Sequence, residues 1–244
     1  MKKLLTAILT AAAFAVHAAP AKQPAPAAKK AAPVRNAAIP RTAAELARQS
    51  EDNAARLIAK PATEMLAYYD ADSRVVEQPA AGGYYRMLVG RTADGKAVVQ
   101  DFYQDSKTKQ IDPAVVPDEK EIRNFSSGVA EGRIVWYSPE GEATNFADIH
   151  NGQAGVSGHY EDGKLAEVLR ITGNTQSVTV YHPNGKTALS ARVNMQKKKV
   201  ESISIFSETG RLLLGGSKNV KPKADADVEA VARVLQRFQQ LGGN

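Results

Sequence analysis

The sequence predicts an α+β protein: a mainly antiparallel β meander of repeated hairpins, preceded by one helix and closed by a C-terminal amphipathic helix. Three observations predict it. A polar-glycine turn recurs along the body, in four of five cases three or four residues after an aromatic residue. The stretches between these turns alternate apolar and polar residues with a period of 2, the period of a strand. Both flanks instead space their apolar residues by three and four, the period of a helix.

The elements follow in order. Lys2 and Lys3, the apolar run Leu4 to Val16 and the small residues Val16 and Ala18 read as a secretory signal peptide over 1–18, cleaved after Ala18. The apolar run has 13 residues, about 20 Å of helix and short of a roughly 30 Å hydrocarbon core, and no later segment approaches 18 apolar residues. The chain is thus expected to carry no membrane span after signal removal and to be periplasmic or secreted. Residues 19–41 are an Ala/Pro/Lys linker with five prolines, a composition that favours extended, unpacked chain. Residues 42–83 form an N-terminal helical segment. Thr42 and Glu45 fit a capping box, Leu46, Leu57 and Ile58 share one side, and Lys60-Pro61 ends the helix near 60. Residues 84–216 form the hairpin-repeat β domain. Residues 217–244 hold the closing helix, with Val228, Val231, Ala232, Leu235 and Phe238 as its apolar stripe and Gly242-Gly243 as its stop.

The turn glycines set the repeat. Gly95, Gly141, Gly163, Gly185 and Gly210 are separated by 46, 22, 22 and 25 residues, so the unit is about 22 to 25 residues long. Each unit has room for two strands and two turns. Asn151-Gly152 and Gly173-Asn174 are the candidate return turns. The motif aromatic-x-x-[Asp/Asn/Glu]-Gly-[Lys/Arg] resembles the MORN and MORN-variant repeats, including those of the YwqK-type antitoxin-repeat family, well over 134–215 and weakly over 84–103. Gly141 departs from the pattern, being followed by Glu142, and 105–127 holds no clean repeat. The resemblance implies a MORN-like sheet and an interaction role, without naming a ligand.

Charge and chemistry narrow the function classes. The chain of 244 residues has a net charge of +6, but residues 1–41 hold seven Lys/Arg and no acid. The remainder has 25 basic and 26 acidic residues, which gives no composition argument for a nucleic-acid partner. The absence of cysteine excludes disulfides, thiolate metal sites and a cysteine nucleophile. His150, His159 and His182 lack metal-ligand spacing, although neighbouring hairpins could bring His159 and His182 together. Asp70-Ala71-Asp72 lacks the remaining ligands of a calcium loop and reads as a turn. No nucleophile elbow or phosphate loop is present. The expectation is therefore an exported, non-catalytic module with no cofactor and no metal, binding an envelope protein or glycan. Its candidate surface is an aromatic sheet face with Trp136, Tyr137, Tyr160 and Tyr181. The rival expectation is an envelope hydrolase with an acidic site in 104–131, built from Asp112, Asp118, Glu119, Glu121 and Glu131.

Overall fold

The computed structural model describes residues 38–116, 118–125, 131–150, 152–217 and 219–241. The signal peptide, most of the linker, Asn151 and the Gly242-Gly243 stop lie outside the described residues. The fold is α+β and mainly antiparallel. Helix α1 (Ala43–Leu57) is followed by β1 (Lys60–Tyr69), β2 (Val75–Val76), β3 (Tyr84–Arg91), β4 (Ala97–Tyr103) and β5 (Ala114–Val116). These strands form a five-stranded sheet of order β2-β1-β3-β4-β5. Then come β6 (Glu131–Tyr137), β7 (Ala143–His150), β8 (Gln153–Glu161), β9 (Lys164–Thr172), β10 (Thr175–Tyr181), β11 (Thr187–Asn194), β12 (Lys199–Phe206), β13 (Leu212–Gly215) and helix α2 (Asp225–Leu241). Strands β6 to β13 follow one another as an eight-stranded meander, each beside its neighbour in sequence. The chain divides into two compact units. One takes in the described residues up to Gly155 with Tyr160–Gly163, and the other Val156–His159 with everything from Lys164 onward.

In the first unit, the Thr42 hydroxyl accepts from the Glu45 amide and the Glu45 carboxylate accepts from the Arg41 amide. The hydroxyl half of the expected box is present, and the carboxylate half reaches the amide one residue before the cap. The expected helix near 42–60 stops at Leu57, which is exposed, while Leu46 is fully buried. The segment to 83 is not purely helical. Pro61 blocks continued helix, and Lys60–Tyr69 becomes a ten-residue strand paired with β3. The hairpin β3–β4 joins this sheet because β1 takes one of its edges and β5 the other. Segment 105–127 supplies β5 and a 3-10 turn at Glu119–Glu121. The turn at Asp70 is fixed by its carboxylate, which accepts from the amides of Asp72 and Arg74.

Four of the five repeat turns share one geometry. At Thr92, Ser138, His182 and Ser207 the amide donates to the carbonyl four residues on. The amides of Gly95, Gly141, Gly185 and Gly210 donate back to those same first residues. A register skip follows in each hairpin, after Leu88, Trp136, Val180 and Ile205. This is a turn closed by a glycine bulge, in which the glycine must take positive φ. Glu142 closes its turn as Lys96 and Lys186 do, so the missing basic residue changes no backbone feature. The fifth turn differs: Asp162 and Gly163 both have positive φ, 48° and 70°, as a two-residue type I′ turn requires.

In the second unit α2 lies on one face of the sheet. Val231, Val234 and Phe238 are buried against Leu169, Val178, Leu189 and Ile205. The expected stripe is corrected at three positions, the first being Ala232, which is exposed. Val228 is 53% exposed, and Val234, outside that stripe, is buried at 6%. Buried positions i, i+3 and i+7 start only after the first turn of α2, which lets its first turn stand in solvent.

Candidate functional site

Two of the four aromatics expected at the surface are buried, and the other two are half-buried. Tyr137 is 2% exposed and Tyr160 4%, which corrects their assignment to an open face. The Tyr137 hydroxyl donates to the buried Asp112 carboxylate, and the Lys109 ammonium lies 4.1 Å from its ring centroid. Lys109 also bridges Asp112 at 2.9 Å and Glu51 at 3.3 Å. Burial first, and the Asp112 bond second, push the Tyr137 phenol far above its ordinary value. The Tyr160 hydroxyl donates to the Pro40 carbonyl at 2.8 Å, and burial raises its phenol too. Both rings lie under the N-terminal segment, which sequence spacing cannot locate. Trp136 is half-buried in a cluster with Ile111, Ala114 and Ile134. Tyr181 is half-buried on β10.

The acidic residues of 104–131 do not converge on one pocket among the described residues. Asp112 serves Tyr137 and Lys109, Glu119 holds Arg91 in a fork at 2.7 and 3.1 Å, and Glu121 accepts from Asn124. Asp118 caps the 3-10 turn, and the side chain of Glu131 lies outside the described residues. The His182 ring is bonded to the Phe206 carbonyl at 3.0 Å. No group of three or more metal-ligating side chains occurs among the described residues.

A different aromatic array stands on the five-stranded sheet. Three doublets, Tyr68-Tyr69, Tyr84-Tyr85 and Phe102-Tyr103, sit in register on β1, β3 and β4. Strand alternation sends one member of each doublet to each face. Tyr69, Tyr84 and Tyr103 form the inner row, where Phe125 packs 4.9 Å from Tyr69 and 5.1 Å from Tyr84. Burial is the main cause that lifts the Tyr69 phenol to about 12. Beneath that row Arg86 and Asp101, both almost fully buried, form a fork with two 2.7 Å bonds. Arg86 also donates to the Asn124 carbonyl at 2.7 Å, tying 122–125 to the sheet.

The outer row is Val76, Tyr68, Tyr85 and Phe102, and beside it run Met65 and Met87. Met65 is 40% exposed and the others are half-buried. Tyr85 and Phe102 stack at 5.1 Å and 13°, with the Lys107 ammonium 5.4 Å from the Tyr85 centroid. Lys107 has φ 60°, an uncommon conformation for lysine. A groove of about 450 Å³ beside β1 and β2 is lined by Met65, Tyr68, Val75, Val76 and Arg123. The outer row is the surface that motif spacing missed. The signal for it is the three aromatic doublets, since a doublet in a strand must expose one ring wherever the other is core.

No protein-family model matches the chain, and no curated protein matches its sequence. Among the described residues no helix is long and apolar enough to cross a membrane.

Proposed function

We propose that the protein is an exported, non-catalytic binding module that docks an envelope protein on the outer face of its five-stranded sheet. One observation carries the reading: the row Val76, Tyr68, Tyr85 and Phe102, with Met65 and Met87 beside it, crosses four strands and stays partly open to solvent. Aromatic residues and Met are enriched where protein surfaces meet. A protein partner fits better than a glycan here. Tyr85 and Phe102 are stacked on each other, so the row offers ring edges and thioethers rather than free ring faces. The buried duties of Asp112, His182 and Tyr137 further support a role without catalysis.

A photo-crosslinking residue at Met65 tests this in the exported protein. A discrete envelope partner is expected from Met65 and not from Val228, an exposed apolar control. Met65→Glu should abolish competition by unlabelled protein while its melting stays at the parent value. Equal labelling from both positions, or turnover of a cell-wall substrate by purified protein, overturns the proposal.

A further inference from the structure

The second unit carries a face of different chemistry. From Lys164 onward the sequence holds 13 Lys/Arg and 6 Asp/Glu, a net of +7, which the near-neutral total for 42–244 conceals. Helix α2 covers the sheet face of Leu169, Val178, Leu189 and Ile205. On the opposite face the pairing aligns Arg170, Ser177, Arg192 and Ser202 in one row across β9 to β12. The next row is Thr172, Thr175, Asn194 and Lys199. Arg170, Arg192, Thr172, Lys199 and Ser202 are exposed, and the other members are half-buried.

The arginines are the telling residues. Arg86, Arg91, Arg133 and Arg211 each grip a carboxylate of this chain in a two-pronged fork. Arg170 and Arg192 have no such partner among the described residues, and none of the eight row members is acidic. The nearby acid Glu201 accepts from the Asn194 side chain at 3.3 Å. Two strand spacings separate the arginines, about 10 Å, with the Ser177 hydroxyl between them. We propose that this face binds an extended acidic polysaccharide. The guanidinium groups take successive carboxylate or sulfate groups in bidentate bonds, and the Ser, Thr and Asn side chains pair with sugar hydroxyls between them.

The face discriminates against other polyanions. Single-stranded nucleic acid needs rings beside the cations for its bases. The aromatic residues of this face, Tyr181 and Phe206, lie about four residues further along their strands, roughly 13 Å from the arginine row. Insertion into a membrane surface needs exposed apolar side chains, and the two rows carry none; attraction by charge alone is what the vesicle arm below measures.

Titration calorimetry on the full mature chain tests the proposal with polygalacturonate, dextran sulfate, neutral dextran, a single-stranded oligothymidylate and phosphatidylglycerol vesicles. The parent should bind at least one of the two acidic polysaccharides and not neutral dextran. Arg170→Ala with Arg192→Ala should weaken that binding at least tenfold at an unchanged melting temperature. Ser177→Glu, which sets a carboxylate between the arginines, should do the same. Arg233→Ala, on the exposed side of α2, should stay within twofold of the parent. The proposal is overturned if neither acidic polysaccharide binds, or if the oligonucleotide or vesicles bind more tightly. It is overturned equally if the double variant binds like the parent, or if Arg233→Ala loses as much.

Discussion

Glu167 sits on the α2 side of its sheet, directly opposite Val180, and one of its carboxylate oxygens has no hydrogen-bond partner among the described residues. Burial alone raises its pKa from 4.5 to about 7. Below pH 4.5 the folded and unfolded chains both hold this proton, so the group adds no slope there. Between pH 4.5 and 7 only the folded chain holds it, so stability falls as pH rises, and the fall ends once the folded group ionises. The total is about 3 kcal/mol. Glu167→Gln should match the parent near pH 4 and exceed it by up to about 3 kcal/mol at pH 8, read from urea midpoints. Identical pH profiles would mean that the carboxyl is hydrated. Tyr137 makes the opposite case, a buried group fully used. Tyr137→Phe leaves Asp112 with one donor fewer and should cost about 1–3 kcal/mol in the same assay. Tyr137→Ala should cost about 3–5 kcal/mol and would report folding rather than binding.

At the scale of single elements, the turns were legible from local chemistry. An added Cβ at Gly163 or Gly185 meets nothing within 4 Å, yet their φ values are 70° and 79°. Valine at either site should therefore cost about 1–3 kcal/mol through backbone strain alone, and alanine less. Thermal melts without loss in both valine variants would contradict the assigned turns. The closing helix was legible in extent, and its register less so. Val228 and Val234 are both apolar, and only the sheet decides which is covered. Val234→Ser should destabilise by about 2 kcal/mol or more, whereas Val228→Ser should be near neutral. Strand β1 was illegible because its apolar positions do not alternate: two register shifts break the period at Pro61/Glu64 and Met65/Ala67. The outer aromatic row was legible only as three doublets, and strand pairing alone lines them up. Tyr68 joins the row from β1, whose own period is broken.

Over the whole molecule, the expected mature chain begins at Ala19, and the intact mass of exported protein measures that directly. A mass that retains Met1 would remove export from the proposed function. Strand order follows sequence order from β6 to β13, so hydrogen bonding there closes only short loops. Two bonds break this pattern. The Ala43 amide donates to the Gly163 carbonyl, and the Tyr160 hydroxyl donates to the Pro40 carbonyl, 120 residues away in each case. Loop closure over that distance carries a larger entropy cost than any hairpin, so these contacts are the late ones in folding. In pulse-labelled refolding, amides of β10 and β11 should gain protection before the amide of Ala43. Protection of Ala43 first would reverse that order. The same order has a vectorial side. A chain threaded across a membrane from its N-terminus delivers the start of α1 while the strand end that receives it is still on the other side. Helix α1 packs against β6 and β7, and its first amide must then wait for an acceptor until 120 further residues have emerged. For that interval the leading end of the helix stays open, and the emergence of Gly163 closes it.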